Sequence, residues 1–327
     1  MPIFPNRRPG DNLGGYILGR YLGEGSSGQV FAVRDGDPDK KYAAKLLNKN
    51  VLLSKNYPTR SIEKEILAMK EISEMSGNFV KLIECFQTEY ESKFVLIITR
   101  ADGGDVFEWR RHHMVPDYRV INNVVFQVSH GLAVLHKGGY VHRDIKHDNV
   151  LFLTKKQPSS VIIADFGLTT KYNIRRPYDS AHGFCGSLDY IPPEACRDMP
   201  YGPSFDMWSL GIFTISFLTN HFPWDPSCHK DRTFREYIGS LTEGWIDPYL
   251  DAVKLKSARD FISKCLIVNP RNRMTAIEAV HHPFLEEVRE VADFSVMSLK
   301  EGSIGGNSAF RSVMSAMAEI GRSIITN

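Results

Sequence analysis

The 327-residue chain lacks any apolar run long enough to cross a bilayer. Its best run, Trp208 to Leu218, has 11 residues, against the roughly 20 that a spanning helix needs, and it reads as a helix buried in a core. Cysteine is sparse and odd in number. Cys85, Cys185, Cys196, Cys228 and Cys265 are scattered, with no paired metal-ligand spacing, which points to free thiols in a reducing compartment. A surplus of one charge is also missing. Lys and Arg number 40 against 38 Asp and Glu, a formal net charge of +2, and there is no broad basic stripe of the kind that holds nucleic acid. The start, Met-Pro-Ile-Phe-Pro, lacks the charged-then-apolar order of a secretory signal. Pro2 in place of Gly argues against myristoylation, and the C-terminus shows no prenylation motif. No nucleic-acid partner, no membrane partner and an intracellular location, cytoplasmic or nuclear, are therefore expected. The basic clusters at Arg110–Arg111 with His112–His113 and at Lys155–Lys156 read as solvated faces or loops.

What is present is ordinary globular material, 43% hydrophobic and 24% charged, in a chain long enough for two lobes. Residues 1–15, with their prolines, glycines and asparagines, read as a loose leader. From Tyr16 to Ile98, short runs rich in β-branched and aromatic residues predict strands. One helix interrupts them at about Thr59–Met75, with Ile62, Ile66, Met69 and Ile72 at helical spacing. After Gly103–Gly104 the pattern turns helical. Tyr118–Lys137 carries Val120, Val124, Val128, Leu132 and Leu135 on one stripe and stops at Gly138–Gly139. Further helices are predicted near 204–219, 255–267 and 275–280. Residues 286–327 form a tail. Within it Phe310, Val313, Met317, Ile320 and Ile324 predict an amphipathic helix over 309–325, which packs on its own domain or meets a regulatory partner.

Four stretches carry chemistry. Leu22-Gly-Glu-Gly-Ser-Ser-Gly-Gln-Val30 holds G-x-G-x-x-G between two strand-like runs, and glycines there let backbone N–H groups approach phosphate oxygens. Dinucleotide folds share that spacing but run from strand into helix; here a strand follows, which suits a hairpin lid. Lys45 lies on an apolar strand, where its charge needs a partner. Glu63 and Glu65 both lie on the following helix, and only one can face the sheet. Glu63, one turn before the apolar Leu67, is the one the pattern favours. Val141-His-Arg-Asp-Ile-Lys-His-Asp-Asn-Val-Leu151 and Ala164-Asp-Phe-Gly167 then place Asp144, Asn149 and Asp165 on two loops. Asp144 suits proton transfer, and Asn149 and Asp165 offer the oxygen ligands magnesium prefers.

Together these stretches resemble the eukaryotic protein kinase family over about Tyr16–Leu285. Pro-Pro-Glu194 stands where the family usually has Ala-Pro-Glu, Asp206-Met-Trp-Ser-Leu-Gly211 matches its central helix, and Arg273 matches the arginine that pairs with Glu194. The resemblance implies an α+β bilobal protein kinase fold. Its N-lobe (16–98) is a small antiparallel sheet with one main helix; a hinge (99–102) leads to a larger, mostly helical C-lobe (103–285). It implies ATP and Mg2+, for which Mn2+ can substitute, and protein substrates bearing Ser or Thr. It also implies roles residue by residue. Leu22, Gly23, Glu24, Gly25, Ser26, Ser27 and Gly28 would cover the phosphates. Val30, Ala43 and Leu151 would sandwich adenine. Ile98 would be the gatekeeper, Thr99 and Ala101 would belong to the adenine-binding hinge, and Asp105 would meet the ribose. Lys45 with Glu63 would hold phosphate, Asp144 and Lys146 would act on the hydroxyl, and Asn149 and Asp165 would bind metal. Leu67, Leu82, His142 and Phe166 would stack as a spine.

Lys146, two residues after Asp144, and Ser187, placed to bridge the two, match serine/threonine members, and the calcium/calmodulin-dependent and AMP-activated group most. The family's commonest loop phosphosite lies four residues before Ser187. Gly183 stands there, so activity without loop phosphorylation, or use of Ser180, is expected. The rival readings are a pseudokinase or scaffold module on the same fold, a small-molecule kinase and a dinucleotide enzyme. The first would have lost one of Lys45, Asp144, Asn149 or Asp165, all of which are present.

Overall fold

Alternation along three strands sorts the sheet residues into two faces, since successive side chains point to opposite sides. Phe31 and Val33, Ala44 and Leu46, and Val95 and Ile97 gather with Leu13 and Leu18 into one apolar cluster. Val30, Ala43, Lys45, Leu96 and Ile98 take the other face, because cross-strand register pairs Val30 with Lys45, Ala43 with Ile98 and Lys45 with Leu96. These faces come from a computed structural model that describes residues 9–24, 28–37, 40–48, 59–88, 93–113, 117–155, 160–179, 181–224 and 231–286. Gly25, Ser26, Ser27, Lys156, Ser180, Cys228, residues 1–8 and the tail from 287, including the expected helix over 309–325, lie outside the described residues.

The chain is α+β and divides into two compact units. The first comprises described residues up to Glu74, Phe79–Asp102 and Ala164–Leu168. Its six strands are β1 (Asn12–Leu13), β2 (Tyr16–Glu24), β3 (Gly28–Arg34), β4 (Tyr42–Asn48), β5 (Leu82–Gln87) and β6 (Lys93–Thr99), in the spatial order β1-β2-β3-β4-β6-β5. All pairs are antiparallel. Helix α1 (Thr59–Ser73) follows β4. The expected loose leader is corrected at its end. β1 pairs with β2, Leu13 is buried, and the Gly10 N–H donates to the Leu18 carbonyl at 2.8 Å; the apolar Leu13 supplies the burial that a run of turn residues conceals.

The second unit holds Met75–Asn78, Gly103–Ile163 and the described residues from Thr169 onward. Its helices are α2 (Val106–His112), α3 (Tyr118–Lys137), α4 (Pro193–Cys196), α5 (Ser204–Thr219), α6 (Asp231–Ser240), α7 (Asp247–Leu250), α8 (Lys256–Cys265) and α9 (Ala276–Val280). Two small strand pairs accompany them, β7 (Tyr140–Val141) with β10 (Thr170–Lys171) and β8 (Val150–Phe152) with β9 (Val161–Ile163). The Asp117 carboxylate caps α3 by accepting from the backbone of Arg119 and Val120. On α3 the expected Val124, Val128, Leu132 and Leu135 are wholly buried, while Val120 is only half-buried and Ile121 takes its place in the core. Helix α5 is buried along every residue from Ser204 to Leu218. Two of its buried hydroxyls turn back on their own helix, Thr214 to the Leu210 carbonyl at 2.7 Å and Ser216 to the Ile212 carbonyl at 2.6 Å. Asn220 ends it in the left-handed region at φ 63°.

Arg110, expected on a solvated face, is buried instead. Its Nε donates to the Phe217 carbonyl at 2.9 Å and its Nη1 to the His113 carbonyl, so the guanidinium joins the last turn of α2 to the end of α5. Among the described residues no helix is long and apolar enough to cross a membrane.

Candidate active site

In the first unit, Lys45 is the charge among the apolar Val30, Ala43, Leu96 and Ile98 of its sheet face, and two carboxylates neutralise it. Lys45 Nζ lies 2.8 Å from Glu65 Oε1 and 2.8 Å from Asp165 Oδ1. Burial alone would lower the lysine pKa, but Asp165 and Glu65 outweigh it and hold the ammonium above its ordinary range. Asp165 sits at φ 61°, an uncommon conformation for a residue with a Cβ. The expected Glu63 is corrected here. Ile62, Glu65, Met69 and Ile72 form the buried stripe of α1, while Glu63 and Leu67 are exposed, Leu67 at 59%. Glu63 stands about 200° around the helix from Glu65, so it cannot reach the same neighbour. Leu67 misled the reading by being apolar, and it also leaves the expected spine. Glu65 was detectable as a charge inside an apolar 3–4 stripe.

The glycine loop is described at its two ends. A Cβ at Gly28 would lie 2.1 Å from the Leu46 carbonyl oxygen, so β3 and β4 approach too closely there for any side chain. Gly23 differs, for among the described residues a Cβ there would meet nothing within 4 Å. Packing does not demand glycine at 23, and a surface kept clear suits the approach of a phosphate. Leu22 and Val30 flank it half-buried, Ala43 is buried and Ile98 half-buried on the same sheet. At the end of β6 the Thr99 N–H donates to the Lys81 carbonyl at 3.0 Å and the Arg100 N–H to the Lys41 carbonyl at 3.1 Å. Asp102 is gripped by Arg100 and Lys41, whose hydrogen bonds overcome its burial and hold the carboxyl below its ordinary range. Between these anchors no described residue hydrogen-bonds the Ala101 backbone.

In the second unit the Asp144 carboxylate is held from both oxygens. Oδ1 accepts from Ser187 N at 2.9 Å and Ser187 Oγ at 2.8 Å, and Oδ2 accepts from Asn149 Nδ2 at 2.8 Å. Lys146 Nζ donates to Ser187 Oγ at 2.7 Å and lies 3.3 Å from Asp144 Oδ2. Ser187 thus bridges carboxylate and ammonium. Asn149 Nδ2 also donates to the Asp144 carbonyl at 2.8 Å, so the amide nitrogen faces Asp144. Asp105 spends one oxygen capping α2, accepting from Glu108 N at 2.6 Å, and forms a β-bridge with Leu151. Burial, aided by Asp148 and Glu108, raises its pKa.

Asp206 positions this loop, a role the sequence reading did not give it. The carboxylate is fully buried in α5 and accepts from His142 N, Arg143 N and His136 Nε2, each at 2.8 Å. Arg143 sits at φ 68°, a strain of roughly 1–3 kcal/mol that surrounding bonds must hold. A lone acid in an otherwise apolar helix was the signal. Glu194 and Arg273 pair as expected, Nη1 to Oε1 at 2.7 Å and Nη2 to Oε2 at 3.0 Å, with both side chains buried.

His147 adds a pH dependence. Its ring stacks on Phe213 at 4.2 Å, Nδ1 meets the Tyr190 hydroxyl at 2.8 Å, and burial lowers its pKa from 6.5 to about 3. The unfolded chain therefore binds a proton that the folded one refuses. Stability is fully present above about pH 6.5 and is lost as pH falls from there toward about 3, by up to ~1.4 kcal/mol per unit. Urea unfolding of His147→Phe is expected to show a slope shallower by about one proton between pH 6 and 5; equal slopes would assign the proton elsewhere.

Among the described residues no three His, Cys, Asp or Glu side chains could hold a metal ion by themselves. Magnesium bound by one or two protein oxygens plus substrate phosphates needs no such cage; Asn149 in the second unit and Asp165 in the first each carry a hard oxygen donor. Burial raises the Glu65 carboxyl above its ordinary range, and Lys45 pulls it back.

The family model for the protein kinase domain matches residues 16–285. The calcium/calmodulin-dependent protein kinase type I of Schizosaccharomyces pombe is 30% identical over 303 residues, covering 92% of this chain and 87% of its own. The type IV enzyme of Mus musculus is 29% identical over 311 residues, covering 95% of this chain but 63% of its own length. The type 1 enzyme of Caenorhabditis elegans is 29% identical over 298 residues, covering 87% and 80%.

Proposed function

Because the chain belongs to the protein kinase family, we propose that it transfers the γ-phosphoryl group of ATP to serine or threonine hydroxyls of protein substrates. The observation that carries this reading is the bridge of Ser187 between Asp144 and Lys146. It fixes a carboxylate acceptor beside a cation, as an incoming aliphatic hydroxyl requires. Asp144 takes the hydroxyl proton, and Lys146 offsets negative charge near the attacked phosphorus. Lys45, aligned by Glu65, holds ATP phosphate oxygens. Leu22, Gly23, Glu24, Gly25, Ser26, Ser27 and Gly28 cover them, Val30, Ala43 and Leu151 contact adenine, and Ala101 binds its edge. Asn149 and Asp165 would hold magnesium, with Mn2+ as a substitute; when bound, the ion neutralises charge on the phosphates. The reading places the enzyme inside the cell. Calcium/calmodulin dependence, carried in the names of the relatives, is not extended to this chain, since the stretch from Phe310 lacks a basic face.

Labelled ATP and a generic Ser/Thr-bearing substrate protein test the reading. Wild-type protein is expected to transfer label. Glu65→Gln is expected to transfer about a hundredfold less, through a misplaced Lys45, and Glu63→Gln to match wild type. No transfer by folded wild-type protein would remove the proposal. The reverse order of the two variants would remove Glu65 from its role.

A further inference from the structure

The position four residues before Ser187 carries no hydroxyl to phosphorylate, only Gly183. Tyr201 meets the activation segment there. Its backbone forms an isolated bridge with Ala181, Ala181 N to Tyr201 O at 3.0 Å and Tyr201 N to Ala181 O at 2.9 Å. Its hydroxyl donates to the Gly183 carbonyl at 2.8 Å, with the His182 carbonyl a longer second acceptor at 3.2 Å. One proton cannot serve both fully, so the shorter bond carries it. The hydroxyl oxygen in turn accepts from Arg143 Nη1 at 3.3 Å, and the Cys185 sulfur lies 3.5 Å away. The residue is fully buried and its ring packs on Phe205 at 5.0 Å between centroids. Burial raises the phenol well above its ordinary range, so the hydroxyl keeps the proton it donates. Gly183 turns its carbonyl from a backbone at φ 94°, and among the described residues a Cβ there would meet nothing within 4 Å. Conformation, not crowding, selects glycine.

An arginine next to a catalytic aspartate can grip a loop phosphate through charge-assisted bonds. Here its guanidinium reaches a neutral hydroxyl that a buried ring already holds in place. We propose that Tyr201 is a positioning residue that keeps the activation segment ordered without a phosphate, its hydroxyl linking Arg143 to Gly183. The link rests on the kinase reading for its purpose but not for its existence. Segment order is then built into the fold, and Thr169, one of the remaining hydroxyls, is buried and poorly placed to act as a switch.

The test uses the full chain, treated with phosphatase and shown by intact mass to carry no phosphate, beside Tyr201→Phe, which keeps the ring and deletes the hydroxyl. Phosphate-free wild type is expected to keep its transfer activity. Tyr201→Phe is expected to lose about tenfold in kcat, the effect of one net hydrogen bond, with KM for ATP unchanged. Amide exchange over residues 181–187 should quicken in the variant while the unfolding midpoint moves by no more than a few degrees. Wild type that needs a loop phosphate overturns the proposal. So does a variant with wild-type kcat and wild-type exchange, or one whose only change is a lower midpoint. Wild type that transfers to no substrate, with exchange still faster in the variant, overturns the kinase reading and leaves the Tyr201 link standing.

Discussion

Asp144→Asn is expected to cut phosphoryl transfer by about a thousandfold, within the range lost with a positioned general base. The substitution is nearly isosteric, but it removes the proton acceptor and inverts part of the hydrogen-bond pattern. Both carboxylate oxygens accept, from Ser187 N and Oγ on one side and from Asn149 Nδ2 on the other. An amide must turn its NH2 toward one of these sets, so donor meets donor in either orientation, and Lys146 loses its nearest counter-charge. The damage is confined to one loop. Its cost of about 1–3 kcal/mol should lower the unfolding midpoint only slightly in a chain of this size. Steady-state kcat on a Ser/Thr substrate, with a melting curve beside it, checks this. A kcat within tenfold of wild type would take the proton role away from Asp144.

Arg273→Met is expected to be the most destabilising single change, at about 3–5 kcal/mol, because it strands a buried carboxylate. Glu194 and Arg273 are both out of solvent, and their two-pronged pairing satisfies both carboxylate oxygens. The guanidinium also donates to the carbonyls of Ser204 and Ile267 and lies 5.1 Å over the Trp208 ring. Methionine restores some packing and none of these bonds. Adding Glu194→Gln should recover part of the loss, since a neutral amide is cheaper to bury than an unpaired charge. Urea unfolding of the wild type, both single variants and the double variant measures the coupling. A loss below about 1 kcal/mol for Arg273→Met would show that water reaches Glu194.

Where sequence reasoning succeeded, the pattern was local. α3 was legible because most of its stripe and its glycine stop lie within one stretch, and the structure ends it at Lys137 as read. α5 was legible as an unbroken apolar run. Where reasoning failed, the answer depended on what lay across the fold. Glu63 and Glu65 are two residues apart and differ only in which side of α1 meets Lys45; an exposed Leu67 tipped the choice the wrong way. Arg110 looked solvated among other basic residues because its acceptor, the Phe217 carbonyl, is 107 positions away. α2, α4, α6 and α7 went unread; α2, α4 and α7 are too short to show a period, and α2 relies on the Asp105 cap. Tyr201 carried no signal at all, since its role comes from a hydroxyl placed among three backbone and side-chain groups far along the chain.

Asp206 also bears on which motions limit turnover. The two N–H groups that it binds belong to the residues just before Asp144, and the carboxylate itself is fully buried in α5. Moving the loop would strip a charge of its donors in a place water does not reach, at a cost too large for a microsecond fluctuation. Asp144 is thus a fixed point, with no gate of its own. Any slow conformational step in the catalytic cycle falls to segments without such an anchor, and mutations that change its rate should leave the chemical step as it was.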